Sequence, residues 1–102
     1  MDIFYEGTEI KLAIEITSEG FDMNKDPWSV TVKCGKRAVK CTEDNGANSV
    51  NGQWYLTINT AELGKGLYYL IAEINVPDAH FSDGYRHEVL KDESPLCEVR
   101  RT

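Results

Sequence analysis

The stretch LYYLIAEINV, residues 67–76, decides the fold of this chain. One set of alternate side chains is mostly apolar and comprises Tyr68, Leu70, Ala72, Ile74 and Val76. The intervening set comprises Tyr69, Ile71, Glu73 and Asn75. A period of two over ten residues predicts a β-strand with one buried face. Pro77 is expected to end the strand, because proline has no backbone N–H to donate to a neighbouring strand.

Six further segments are predicted as short strands: residues 8–17, 28–34, 37–44, 53–60, 85–90 and 96–101. Segments rich in turn-forming residues separate them, and 43–52 is predicted as a polar loop with two Asn-Gly turns. Residues 60–63 are expected to form one helical turn. Seven short strands without a longer helix predict an all-β fold, a single antiparallel Ig-like β-sandwich domain over residues 1–102. A small β-barrel is the alternative.

Composition limits the classes of partner. The chain has 102 residues, a net charge of −6 and a pI near 4.8, which argues against binding nucleic acid. The basic cluster Lys33, Lys36, Arg37 and Lys40 is predicted to be a solvated edge strand. No run of 18 apolar residues is present, so no membrane span is expected, and the start MDIFYEGTEIK lacks the features of a signal peptide. Synthesis and retention in a cytoplasm are expected.

Catalytic and metal-binding patterns are weak, and neither an enzyme nor a cofactor is predicted. Cys34, Cys41 and Cys97 lack C-x-x-C spacing and are expected in the core. Residues 22–26 carry oxygen ligands at alternate positions, as a calcium loop does, but the discriminating Gly and Glu positions hold other residues. No G-x-S-x-G elbow occurs. His80 and His87 are seven residues apart, which does not match a helical zinc pair.

The segment VPDAHFSDGYRHEV, residues 76–89, contains both histidines and several charged side chains. We predict a strand exit, a turn and a strand entry. Asp78 and Asp83 are expected to cap the turn, and Phe81 to plug the end of the sandwich. Because Arg86 and Glu88 lie two apart on a strand, they share one face and are expected to pair. If the histidines act, they are expected to make an interface sensitive to pH.

Aromatic residues divide into two groups by phase. Trp28, Trp54 and Tyr68 fall in phase with aliphatic residues and are predicted core. Tyr55 and Tyr69 fall on the faces opposite to these aliphatic residues, with Thr57 and Ile71, and an exposed Tyr–Ile stripe on a sheet is predicted to be a protein-contact surface. The candidate contact residues are Phe4, Tyr5, Tyr55, Tyr69, Ile71, His80, Phe81, Arg86 and Glu88. Exposed aromatics also leave a carbohydrate-binding module as an alternative function.

Three segments resemble parts of small Ig-like domains in virion proteins of tailed bacteriophages. Residues 4–24 resemble the first hairpin of such domains, and residues 59–78 resemble their turn and aromatic strand. Residues 77–89 are similar to a Pro-Asp…Phe-x-Asp-Gly-x-Arg-x-Glu-Val loop and strand. This pattern is associated with baseplate, head-fibre and other virion proteins of phages that infect Bacteroides-type hosts, including crAss-like phages.

The resemblance implies a virion structural protein, made in the bacterial host cytoplasm and localised in the virion. An auxiliary capsid or head-decoration subunit is the main expectation, and a tail or baseplate adaptor of the same fold is the alternative. The implied partners are other virion proteins, contacted in many copies within a symmetric assembly. The resemblance brings no catalytic residues.

Overall fold

This computed structural model describes residues 1–101, which contain nine strands and one helical turn joined by loops. The strands are β1 Asp2–Tyr5, β2 Glu9–Ile14, β3 Trp28–Cys34, β4 Arg37–Cys41, β5 Ala47–Val50, β6 Gln53–Asn59, β7 Gly66–Pro77, β8 Tyr85–Lys91 and β9 Cys97–Arg100. The helix α1 spans Thr60–Leu63, where one helical turn was predicted. Within these residues, no helix has the length and apolar character needed to cross a membrane.

The strands form two sheets. The larger sheet has six strands in the order β1-β9-β7-β3-β4, with β8 also paired to β7, and the smaller sheet has the order β2-β6-β5. Neither sheet closes into a barrel over the described residues. The predicted all-β sandwich is therefore confirmed, and the barrel alternative is wrong.

The strand order is that of an immunoglobulin-type sandwich. Here β3, β7 and β9 lie opposite β2, β6 and β5, as strands C, F and G lie opposite B, E and D in such domains. A buried tryptophan, Trp28, begins the strand equivalent to C. Near the start of the strand equivalent to F, the Tyr68 hydroxyl donates to the Gly64 carbonyl oxygen over 2.6 Å. This contact is the tyrosine corner that recurs in immunoglobulin-type sandwiches.

Two strands lie outside the predicted seven. β5 occupies part of the segment predicted as a polar loop, and three of its four residues are exposed, so no apolar alternation marks it. β1 pairs in parallel with β9, which corrects the prediction of a purely antiparallel fold. Because β1 is only four residues long and lies at an edge, it shows no extended periodicity.

The core lies between the sheets and uses the alternate residues predicted from phase. Its members include Ile10, Leu12, Ile14, Val30, Val32, Leu56, Ile58, Tyr68, Ala72, Ile74 and Val76. The rings of Trp28 and Trp54 meet edge to face, with centroids 5.0 Å apart. Their indole N–H groups also anchor the long loop between β2 and β3, since they donate to the Met23 carbonyl and to the Asn24 side chain. The aromatic pair therefore joins the core to this loop.

The three cysteines are free and buried, as predicted. Burial raises the pKa of the Cys97 thiol to about 11, and it raises those of Cys34 and Cys41 as well. A thiol reacts as its thiolate, so burial and a raised pKa both disfavour the reactive form of these groups.

Candidate protein-interaction surface

The solvent face of the six-stranded sheet carries several exposed apolar side chains among its polar ones. We define the outer-face band as the side chains that project from it, namely Ile3, Tyr5, Leu67, Tyr69, Ile71 and Val89. Val89 keeps 59% of its surface exposed and Tyr5 keeps 52%. Antiparallel sheets that face water on one side usually alternate apolar and polar residues, so this concentration of apolar groups indicates a contact surface.

The strand register places the members of the band on one face, where Glu98 of β9 lies between Ile3 and Leu67, and Glu73 of β7 is the register partner of Val89. Ile3 pairs with Glu98, and Glu98 pairs with Leu67, so one row crosses three strands. Tyr69 and Ile71 then follow Leu67 along the same face of β7. Val89 belongs to the neighbouring strand β8. The band therefore runs from the β1 edge across the sheet to β8.

Cationic side chains border the band on both sides of β7. Lys33 is the register partner of Tyr69, and Lys91 is the register partner of Ile71. Lys40 lies in the same row, one strand further out, opposite Thr31. An apolar centre with a charged border is the usual arrangement of a protein–protein interface.

The smaller sheet presents a different outer face. Tyr55 projects from it and is half-buried, and the Lys11 ammonium lies 4.2 Å from the centre of its ring. Tyr55 therefore lies on the opposite side of the sandwich from Tyr69, and the predicted stripe continues through Ile71 but not through Tyr55. Because Lys11 covers one face of the Tyr55 ring, that face is not free to stack on a sugar.

The two adjacent aromatics of β1 have different surroundings. Tyr5 points outward and belongs to the outer-face band. Phe4 pairs with the buried Val99 and packs against the core from the inner face. The candidate contact at Phe4 is therefore corrected, because strand alternation directs its ring into the sandwich.

The turn between β7 and β8 is closed largely as predicted. Asp78 accepts a hydrogen bond from the His80 backbone N–H, and Asp83 accepts one from the Tyr85 backbone N–H, each at 3.0 Å. Gly84 has a φ of 82°, which side chains with a Cβ rarely adopt. Both aspartates therefore cap the turn.

Phe81 does not plug the sandwich, so that prediction is wrong. Its side chain is 47% exposed. The turn closes on its own backbone, since the Phe81 N–H donates to the Asp78 carbonyl and the Gly84 N–H donates to the Phe81 carbonyl. These local bonds hold the segment as a self-contained turn, which leaves the ring facing solvent.

Arg86 and Glu88 form the predicted pair, with 2.7 Å between the arginine Nε and a carboxylate oxygen. Arg86 also reaches Asp78 over 3.3 Å, and the Ser18 hydroxyl donates to Glu88. The hydrogen bond to Glu88 raises the pKa of Arg86 above its ordinary value. These side chains lie on the inner face of β8, opposite buried residues of β7, and so they link the hairpin to the loop after β2.

The two histidines have unequal surroundings. His80 is almost fully exposed, and its Nδ1 lies 3.4 Å from Asp78. His87 Nε2 lies 2.8 Å from an Asp83 carboxylate oxygen. That hydrogen bond, with help from the Tyr85 backbone N–H, lowers the pKa of Asp83. Among residues 1–101, no three His, Cys, Asp or Glu side chains are grouped as a metal ion would require.

Cys97 and His87, a cysteine and a histidine on two strands that both pair with β7, do not meet. Cys97 is the register partner of Tyr68 near the start of β7, and His87 is the partner of Asn75 near its end. The thiol points into the core and the imidazole points to solvent. The two groups are therefore too far apart to act together.

Comparison of the chain with protein-family models, curated proteins and solved structures finds no match. Function is therefore inferred from the geometry. The outer-face band has the apolar character of a contact surface, and it contains Tyr5, Tyr69 and Ile71 of the residues predicted from sequence. Ile3, Leu67 and Val89 were missed, because alternation indicates which residues face solvent but not which of them become neighbours in the sheet.

Proposed function

We propose that this protein is a structural subunit of a bacteriophage virion, an auxiliary capsid or head-decoration protein that binds other virion proteins. The outer-face band carries the proposal. Fully burying one Val, Leu, Ile or Phe side chain contributes about 1.5–3 kcal/mol, so covering several partly exposed ones is a substantial driving force. A binding partner is the simplest means of covering them.

The shape of the surface favours a protein partner. The outer-face band lies on a sheet and spans β1, β7 and β8, so it is broad. Small-molecule sites are usually concave and enclose most of the ligand. A broad apolar surface with a cationic border instead matches the anatomy of a protein–protein interface.

Charge and sequence resemblance support the virion setting. The net charge of −6 makes binding of the packaged genome unfavourable and helps to keep the free subunit soluble. The resemblance of residues 77–89 to a virion-protein loop and strand points to the same class. A tail or baseplate adaptor would use the same surface at a different place in the particle.

The direct test is mass spectrometry of particles purified from cultures in which the gene is expressed. We expect peptides from this chain in amounts that correspond to many copies per particle. Cross-linking before digestion should join Lys33, Lys40 or Lys91, which border the outer-face band, to another virion protein. Absence of the chain from intact particles would refute the virion assignment.

A further inference from the structure

A groove of about 650 Å³ lies at the end of the sandwich where β7 begins. Its apolar lining includes Leu63 of α1 together with Leu67 and Tyr69 of β7. Leu67 and Tyr69 also belong to the outer-face band. The groove therefore continues that band at the end of the molecule, and it offers a concave site for an apolar side chain.

The rim of this groove is basic. Lys36, Arg37 and Lys65 line it, against the single carboxylate of Glu6. The nearby hairpin of residues 28–41 has four of the chain's 11 basic residues and no Asp or Glu. A positive region on an acidic protein attracts an acidic partner segment and sets its orientation. We call this site the basic-rimmed groove.

The opposite end of the molecule carries a matching feature, which we call the Phe81 turn, residues 78–84. Its exposed aromatic ring lies between the acidic residues Asp78 and Asp83. β7 begins at Gly66, which lines the groove, and ends at Pro77, directly before the turn, so its two ends are about 37 Å apart at roughly 3.4 Å per residue. The longest dimension of the molecule is 50 Å, so the two features lie at its two ends.

We propose that the Phe81 turn of one copy docks in the basic-rimmed groove of a second copy. The phenyl ring would occupy the apolar floor. The carboxylates of Asp78 and Asp83, which contact Arg86 and His87 in their own copy, would face the basic rim with their remaining acceptor positions. The inference deepens the proposed function, on which it rests for its biological setting, because it names a second copy as one partner. A contact between unlike surfaces is heterologous, so repetition produces a ring or a filament.

A single contact of this kind is weak. One turn in one groove buries less area than the roughly 1,200 Å² at the lower end of stable interfaces. In a particle, attachment of each subunit to other proteins supplies a high local concentration that strengthens such a contact. The isolated chain should therefore associate measurably only at high concentration.

Sedimentation velocity on the purified chain tests the contact, from about 0.02 mM to about 1 mM. We expect the average mass to rise with concentration, and to rise less when ionic strength increases from about 0.05 M to about 0.5 M. Phe81→Ser should weaken association by about tenfold or more, since it removes the apolar anchor. Val50→Ser is the matched control, because Val50 is similarly exposed but lies on β5 of the other sheet.

A mixing experiment tests the head-to-tail geometry. Phe81→Ser keeps an intact groove, and Lys36→Glu with Lys65→Glu keeps an intact turn. Each variant alone should remain largely monomeric, whereas their mixture should form dimers and nothing longer, because only one junction is possible. The substituted side chains lie at the surface, so equal melting temperatures should show that each variant is folded.

Three results would overturn the contact: a wild-type chain that stays monomeric at every concentration, association that Phe81→Ser leaves unchanged, or a mixture without dimers. A monomeric chain would leave the groove to an acidic segment of a different protein. Because these measurements use the pure chain, they can fail while the chain is still found in particles. Equally, absence from particles would refute the virion assignment without touching the measured association.

Discussion

The phenolic hydroxyl of Tyr68 donates a hydrogen bond of 2.6 Å to the backbone carbonyl of Gly64. Tyr68 is fully buried, and Gly64 lies directly after α1. The bond fixes the point where the chain leaves the smaller sheet and enters β7 of the larger one. It therefore positions the start of β7, from which Leu67 and Tyr69 project into the basic-rimmed groove.

Replacing Tyr68 by Phe should lower the free energy of unfolding by about 0.5–1.5 kcal/mol, because the partly buried hydrogen bond to Gly64 is lost. Urea denaturation followed by tryptophan fluorescence measures the change. Tyr69→Phe is the matched control and should stay within about 0.5 kcal/mol, since Tyr69 faces solvent. Equal losses in the two variants would show that the tyrosine corner does not stabilise this fold.

Stability should fall at alkaline pH. Burial raises the pKa of Tyr68 to about 12 from 10.0, and that of Cys97 to about 11 from 9.0. Both groups are neutral when protonated, so the folded state holds these protons more tightly than the unfolded state does. The resulting stabilisation is fully present below about pH 9 and is lost as pH rises through the folded pKa values.

Urea titrations between about pH 8 and about pH 11 measure this loss, and Cys97→Ala should make the dependence on pH shallower. The comparison is of slopes, because removing the buried sulfur also lowers stability at every pH. A slope identical to that of the wild type would contradict the role given to Cys97.

Thr60 joins α1 to the connection between β1 and β2. Its hydroxyl oxygen accepts hydrogen bonds from the Gly7 and Thr8 backbone N–H groups, and it donates to the Thr8 carbonyl over 2.6 Å. Thr60→Val keeps the shape but removes all three bonds, so we expect a loss of about 2 kcal/mol in calorimetry or urea unfolding. Thr57→Val, on the solvent side of β6, should be nearly neutral and serves as the control. A neutral Thr60→Val would mean that water replaces the hydroxyl.

The hydrogen bond from His87 lowers the pKa of Asp83, with a smaller contribution from the Tyr85 backbone N–H. Carboxyl-carbon NMR should show Asp83 titrating below the ordinary aspartate range. The associated stabilisation is present above that range and fades as pH falls through the lowered pKa. His87→Ala should move the titration upward, whereas His80→Ala should leave it in place because His80 contacts Asp78 instead. If His80→Ala moved the Asp83 titration and His87→Ala did not, His80 would be the partner of Asp83 instead.

A charge within the outer-face band should prevent assembly. Val89→Lys places an ammonium group on the apolar surface without entering the core, so the fold should persist while binding to particles that lack the protein falls by at least about tenfold. Val50→Lys makes the same change on the other sheet and should bind normally. If both variants bind as the wild type does, the contact surface lies elsewhere on the molecule.

The sequence predicts the fold well wherever one face of a strand is buried. Leu12, Val32 and Leu56 each lie in an alternating run, and all three are in the core. The segment of β5 lacks such a run, since Asn48, Ser49 and Val50 are all exposed. The turn that precedes β6 was nevertheless recognisable, because Asn51-Gly52 adopts the positive φ angles typical of a two-residue hairpin turn.

The interaction surface was predicted less completely, and for a physical reason. Alternation states which residues leave the core, but not which exposed residues become neighbours. Tyr55 and Tyr69 look equivalent in sequence and lie on different sheets, whereas Ile3 and Leu67 are far apart in sequence and share one row. The sheet order sets those relationships, and it arises from pairing across the whole chain.

The strands β8 and β9 divide one edge of β7 between them. β9 takes positions 66–68 and β8 takes positions 71–77. The pairing of β9 with β7 therefore does not depend on which residues form the tip of the β7–β8 hairpin. Substitutions at the exposed tip positions His80 and Phe81 can therefore change what the tip recognises, while Asp78, Asp83 and Gly84 keep the turn closed.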